Sequence, residues 1–309
     1  MKYPLVVLTG PTAVGKTKLS IALAKAINGE IISADSMQVY KYMNIGSAKI
    51  MPEEMDGIKH YLVDCIEPTE EFNVTIFQKM AKAAIAEIIA KGKVPIIVGG
   101  TGFYIQSVIY DIDFTKEDGD SSYRVELEAL EKSHGPEYLH AMLQEVDLEA
   151  SKQIHANNVK RVIRALEFFK QTGMKISEHN EQQQKKTSPY ESYYFVLNDK
   201  RERLYERIDK RVDLMFEQGL VAEVEALLDM GCTKELISMQ GLGYKEIIDY
   251  LQGAITLEEA SYIIKRDTRH FAKRQLTWFR REREVQFLDR EVLSSDEAIL
   301  LEILDKVKR

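Results

Sequence analysis

The tightest constraint on this chain is an eight-residue turn near its start. Residues 5–9 read LVVLT, and Gly10, Pro11, Thr12, Ala13, Val14, Gly15, Lys16 and Thr17 follow at once. Leu19, Leu23, Ala26 and Ile27 then recur at helical spacing. Strand, G-x-x-x-x-G-K-[ST] and helix together make the full context of a phosphate-binding loop. The glycines let the backbone curl until several N–H groups face one point. The helix start adds its own free N–H groups and the positive end of its dipole. Lys16 supplies a mobile charge and Thr17 a hydroxyl suited to Mg²⁺. A phosphorylated ligand is expected at this turn.

The pattern around the turn sets the fold class. Strands are expected at 5–9, 30–33, 60–66 and 94–98, with helices at about 16–28, 75–91 and 101–109. The run VPIIV at 94–98 has no polar face, as in a parallel strand buried on both sides. From about residue 114 the character changes: 115–120 reads as a polar, acidic linker, and 121–188 shows helical periodicity without a convincing strand. Val159, Val162, Ile163, Leu166 and Phe169 form one apolar face there, and Gly173 stops the helix. Residues 193–197 look like a return to the sheet, 200–283 are again helical, 285–288 read as a last strand and 295–308 as a last helix. The expected fold is α/β: a P-loop NTPase-like open parallel sheet covered by helices, with a helical insertion at 114–190 and a helical C-terminal part. Residues 1–113 and 191–309 form the core domain on this reading. Ligands in such sheets bind beyond the carboxyl ends of the strands.

Composition narrows the surroundings. Charged residues make up 29% of the 309-residue chain, and no apolar run approaches a membrane span. A strand that begins almost at the N-terminus leaves no room for a signal peptide. Cys65 and Cys232 are too few and too far apart for a disulfide framework or a zinc site. A cytoplasmic protein is expected. The net charge of −7 argues against a nucleic-acid partner unless the basic residues cluster, and they do. Residues 265–283 hold eight Lys/Arg against Asp267 and Glu282. Arg266, Arg269, Lys273, Thr277 and Arg280 fall on one side at helical spacing, and Ile264, Phe271 and Trp278 on another. The stripe is either a groove for a polyanion or an ordinary solvated face.

Other residues keep two readings. Asp35 lies just past the second expected strand, on the rim of the phosphate loop. An acid there ligates Mg²⁺ through water or acts as a general base; Asp-Ser before Met37 and Val39 equally fits a helix N-cap. Thr101, in the second Gly-rich turn at 98–102, meets a ligand phosphate or caps the next helix. Asp64 is a metal-side carboxylate or a solvated strand-end acid. Arg207 and Arg211, four apart, reach a phosphate or pair with Glu202 and Glu206.

Taken together the motifs resemble one family, the tRNA dimethylallyltransferases. The resemblance rests on 10–17, SADSMQVY at 33–40, IGSAK at 45–49, HYLVD at 60–64, VGGTG at 98–102, RVIRALE at 161–167, GLGY at 241–244 and AKRQLTW at 272–278. It spans nearly the whole chain in the expected order. Ser47 stands where Thr is usual in that family, and Lys160 where Gln is common.

The resemblance implies transfer of a dimethylallyl group from its diphosphate to N6 of the adenosine at tRNA position 37, in tRNAs reading codons that begin with U. It implies that residues Gly10 to Thr17 bind the diphosphate with Mg²⁺ on Thr17, and that Arg211 helps hold it. Asp35 matches the acid that orients N6 and takes its proton; Lys16, Thr17, Thr101 and Arg211 complete the catalytic set. Asp35, Ser36, Met37, Gln38, Thr101 and Arg124 match positions at the target nucleotide. Lys160, Arg161, Arg164, Gly243, Tyr244, Lys245, Lys273, Arg274, Gln275, Trp278 and Arg280 match RNA-contacting segments. The expected partners are a tRNA anticodon stem-loop and dimethylallyl diphosphate, with no membrane and the chain acting as a monomer. Residues 12–14 and 101–104 are expected to wall the prenyl chain. The rival readings are a small-molecule kinase, an adenylate isopentenyltransferase and a nucleotide-switched RNA-binding protein. The first two leave the basic stretch unexplained, and the third predicts ATP or GTP hydrolysis coupled to RNA affinity.

Overall fold

The computed structural model describes residues 2–114 and 122–307. The expected acidic linker at 115–120 lies outside the described residues. The chain divides into two compact units, Met1–Ile109 with Ser188–Arg309, and Tyr110–Thr187.

The first unit begins with β1 (Pro4–Thr9), α1 (Lys16–Ala26), β2 (Gly29–Ala34), β3 (His60–Tyr61), α2 (Val74–Ala90), β4 (Val94–Gly99) and α3 (Gly102–Ile109). The second unit holds α4 (Ser122–His134), α5 (Pro136–Val146), α6 (Leu148–Gln153), α7 (Val159–Thr172) and α8 (Ile176–Gln184). The chain then returns to the first unit with β5 (Glu191–Asn198), α9 (Arg201–Glu217), α10 (Leu220–Asp229), α11 (Tyr244–Leu251), α12 (Leu257–Phe279), β6 (Val285–Asp289) and α13 (Asp296–Val307). Among the described residues no helix is long and apolar enough to cross a membrane.

All six strands run parallel in the order β3-β2-β4-β1-β5-β6. Successive strands β1 and β2 are not neighbours; β4 lies between them, and the later strands β5 and β6 build out on the other side of β1. The order therefore switches direction at β1, and the crevice at its carboxyl end is where such sheets take ligands. Leu5, Val6, Val7 and Leu8 of β1 are all fully buried because helices cover both faces. Each such side chain contributes roughly 1.5–3 kcal/mol on burial. A core of Val6, Leu8, Leu19, Leu23, Ile96 and Phe195 underlies the site-bearing rim. The second unit has a core of its own, in which Leu127, Leu139 and Leu143 meet Val162, Ile163 and Leu166.

Two expectations are corrected. The strand expected at 60–66 is two residues long. Leu62 (φ 60°) and Asp64 (φ 53°) take left-handed conformations that turn the chain off the sheet edge. Residues 64–66 instead bond to the segment after β2: Asp64 N–H donates to Gln38 O (2.9 Å) and Cys65 N–H to Val39 O (2.8 Å). On α7 the buried aromatic is Phe168, while Phe169 is half-buried.

Candidate functional site

The phosphate loop begins where β1 ends. Gly10 has φ 146°, and a Cβ there would stand 2.5 Å from Leu197 O of β5, so the turn admits only glycine. Gly15, at φ 96°, starts α1 without a side-chain cap, and no acid lies in the first turn of the helix. The free N–H groups and dipole end of α1 are therefore left for a ligand. Lys16 folds back over the loop, donating from Nζ to Gly10 O (3.0 Å) and Pro11 O (2.8 Å). The residue as a whole is half-buried, but its ammonium is desolvated. That burial, reinforced by the charge of Arg211 and opposed by Asp35, lowers its pKa to about 7. An anion in the loop would supply the charge partner this lysine lacks.

Asp35 follows β2 directly. Its Oδ1 accepts from Met37 N–H (2.8 Å) and Gln38 N–H (3.3 Å). No helix follows, so the N-cap reading is corrected: the carboxylate caps a turn. Oδ2 bonds none of the described residues, and one carboxylate oxygen remains for a ligand. Gln38 Nε2 ties the same turn to the next loop, donating to Ala48 O (3.1 Å). Arg211, on α9, is largely buried; desolvation lowers its pKa, while the Asp35 charge acts the other way. The expected pairing of Arg207 and Arg211 with Glu202 and Glu206 is corrected. Arg207 bonds the buried Asp199, and Glu206 pairs with Lys210 (2.7 Å). Arg211 is thereby the guanidinium left beside Lys16 and Asp35.

A cavity opens beside Lys16 and Asp35. Lys16, Thr17, Ser20, Ser33, Asp35, Gln38 and His60 line it together with Ile31, Ile50, Val63 and Val98. Burial lowers the His60 pKa, and its Nδ1 faces Ile58 O (2.9 Å). Neither 12–14 nor 101–104, the expected walls of the prenyl chain, lines this cavity. Thr101 stands at the start of α3; its carbonyl accepts from Tyr104 and Ile105 N–H, but its hydroxyl bonds none of the described residues and forms no side-chain cap. Asp64 is likewise reassigned, since it bonds the buried Lys49 ammonium (2.7 Å), which also donates to Tyr40 O (2.6 Å).

The residues matched to RNA contacts fall into two groups. Ser36, Met37 and Gln38 are half-buried beside Asp35; Lys273, Arg274 and Arg280 are exposed on α12, with no ion pair found among the described residues. Trp278 is half-buried, meeting Phe103 edge-on at 6.2 Å between ring centroids. Earlier on α12 the charges are spent internally: Lys265 pairs with Asp213, Arg266 with Asp267 and Arg269 with Asp209. Gln275, expected at the RNA face, is instead buried and bonds inward. Gly243 and Tyr244 are also buried, and Lys245 is half-buried. In the second unit Lys160 and Arg161 are exposed and Arg164 half-buried. Arg124 there is committed to a two-pronged bridge with Glu167, at 2.9 and 2.7 Å.

One feature had no sequence signal. Glu223, on α10, accepts from the N–H groups of Asn44 (2.8 Å), Ile45 (2.7 Å) and Gly46 (3.0 Å), and from Tyr244 Oη (2.8 Å). This carboxylate fills an anion-binding nest of consecutive backbone N–H groups. It fixes the loop whose carbonyls receive Gln38.

The profile of a family described as IPP transferase matches residues 38–282. A tRNA dimethylallyltransferase of Lachnoclostridium phytofermentans is 62% identical over 301 residues, 97% of this chain and 96% of that one. The crystal structure of a tRNA delta(2)-isopentenylpyrophosphate transferase from Staphylococcus epidermidis superposes with a TM-score of 0.74 at 44% identity, covering 99% of both chains. A eukaryotic dimethylallyltransferase acting on tRNA superposes with a TM-score of 0.81 at 31% identity, covering 93% of this chain and 74% of that one. With the phosphate loop, Asp35 and Arg211 gathered on one rim, and with matches of this extent, the chain belongs to the IPP transferase family.

Proposed function

We propose that the protein transfers a dimethylallyl group from dimethylallyl diphosphate to N6 of an adenosine in tRNA, the adenosine being that at position 37 of tRNAs reading codons that begin with U. The observation that carries this reading is a cationic loop and a half-free carboxylate lining one cavity together with apolar side chains. The α1 N–H groups, Lys16 and Arg211 hold the diphosphate and stabilise the charge that grows on its departing oxygen. Ile31, Ile50, Val63 and Val98 offer the prenyl chain an apolar floor. The adenine leaves the loop stack and enters the rim, as enzymes acting on a base require. Its N6 forms a bond to C1 as the C1–O bond to diphosphate breaks. The proton released from N6 passes to Asp35 Oδ2, which the turn at 35–38 leaves unpartnered. An exocyclic amine becomes acidic only as the new bond forms, so a carboxylate suffices as base.

Mg²⁺ fits the donor set. The exposed Thr17 hydroxyl stands at the start of α1, and the Asp35 carboxylate lines the same cavity. Among the described residues no cluster of three or more His, Cys, Asp or Glu could hold a metal. That suits an ion that keeps its waters and takes most of its ligands from phosphate oxygens. When bound it supplies further positive charge to the leaving group. The exposed Lys273, Arg274 and Arg280 supply cations for an anticodon stem-loop, and the second unit by itself exposes Lys160 and Arg161. The chain is proposed to act as a monomer in the cytoplasm.

Mass analysis of unmodified tRNA incubated with the protein and dimethylallyl diphosphate tests the reading. The expected product carries one dimethylallyl group on the adenosine at position 37. ATP hydrolysis with no modified nucleoside would overturn it in favour of a kinase or a switch.

A further inference from the structure

Gln275 lies on α12, among exposed basic residues, yet its side chain is buried and turned toward the two Gly-rich turns. Its Oε1 accepts from Thr12 N–H (2.9 Å) in the phosphate loop. Its Nε2 donates to Gly100 O (3.0 Å) in the turn after β4. A Cβ on Gly100 would stand 2.1 Å from that nitrogen, so the absence of a side chain at Gly100 makes room for the amide. Both ends of one carboxamide are thus used, and they span the two turns.

The consequence concerns which donors the loop has left. Pro11 has no N–H. Thr12 N–H is taken by Gln275, and Val14 N–H turns back to Pro11 O (3.4 Å), while Ala13 N–H between them has no partner among the described residues. The first N–H groups of α1, from Lys16 onward, have no intrahelical partner and stay available. A polyphosphate entering the loop therefore finds donors at the α1 end. At the Thr12 end it finds one of the donors already bonded. We infer that Gln275 is a specificity residue: it favours ligands bearing two linked phosphate groups by withholding the Thr12 N–H from a third. This rests on the proposed diphosphate site and deepens it. It explains how a loop of the kind that elsewhere cradles nucleoside triphosphates comes to favour a diphosphate.

Inorganic diphosphate and inorganic triphosphate, each titrated calorimetrically in the presence of Mg²⁺, test the inference with the full chain. The readout is the ratio of the two affinities, which a merely structural role for Gln275 would leave alone because both anions would weaken together. For the wild type, triphosphate is expected to bind no tighter than diphosphate. In Gln275→Ala the ratio is expected to move toward triphosphate by about tenfold, the worth of a hydrogen bond to a charged group. Gln275→Met keeps the side-chain volume without the two bonds, and frees Thr12 N–H even if the alanine variant fails to fold. It is expected to shift the ratio the same way. A ratio within about twofold of wild type in a folded variant overturns the inference, as does a wild type that already prefers triphosphate tenfold. Failure of the wild type to bind diphosphate at all would remove the diphosphate site itself, and this inference with it.

Discussion

Asp35 divides its carboxylate: Oδ1 holds the turn at 35–38, Oδ2 bonds no other described residue, and the side chain lines the cavity. The division makes Asp35→Asn an informative change, because an amide oxygen still accepts from Met37 and Gln38 while the base is lost. The single-turnover rate is expected to fall by about 10²–10⁴, the usual worth of a general base, with tRNA and diphosphate binding retained. A loss under tenfold would leave Asp35 as a turn-forming residue only. Glu282 makes the pH prediction at this scale. Burial raises its carboxyl pKa from 4.5 to about 7, against the opposing charge of Arg283, and Gln106 Nε2 donates to it (3.1 Å). A carboxyl whose folded pKa lies above its unfolded value binds more protons when folded. Its contribution is therefore full at low pH and is lost as pH rises from about 4.5 through about 7. Discounted for its partial exposure, the loss is about 1–2 kcal/mol. Glu282→Gln should flatten denaturant stability over that window and stabilise the protein at pH 8. An unchanged pH profile would show that Glu282 titrates as a solvated acid.

Among the elements, α12 does the most varied work. Its first half neutralises acids of α9, its buried side holds Gln275, and its second half exposes Lys273, Arg274 and Arg280. Net charge along the helix thus overstates its RNA surface; what counts is the charge left unpaired. Reversing Lys273 and Arg280 to Glu should weaken tRNA binding and lower the slope of log affinity against log salt by about 1.5, two phosphate contacts' worth. Dimethylallyl diphosphate binding should be unchanged. Filter binding across a salt series reads this directly, and an unaltered slope would make the stripe ordinary surface.

At the scale of the whole molecule, two units with separate cores need not respond together to a ligand. The phosphate loop, Asp35 and Arg211 all belong to the unit formed by Met1–Ile109 and Ser188–Arg309. Diphosphate at a hundred times its Kd should stabilise that unit by about 2.7 kcal/mol. In a unit of this size that raises its melting temperature by about 5–10 °C. Hydrogen exchange should show the added protection there and not in Tyr110–Thr187, whose core of Leu139, Leu143 and Leu166 holds no part of the loop. Equal gains in both units would mean that they unfold as one.

What the sequence by itself determined was local. The turn from Gly10 to Thr17 was legible because its geometry depends on neighbours in the chain, and strands β1 and β4 because burial on both faces leaves a nearly unbroken apolar run. The rim position of Asp35 followed from the strand before it. Only the tertiary structure decided which charges are spent and which are free. Arg207 and Arg211 look alike along α9, yet one is claimed by Asp199 and the other stands beside Lys16. Gln275 reads as one more polar residue on a basic helix until Thr12, 263 positions away, is brought against it. Glu223 has no local signal, since its partners are backbone N–H groups of a loop almost 180 residues earlier. A hydrogen bond between distant segments depends on where packing carries each side chain, and the residue types flanking Gln275 and Glu223 do not encode that.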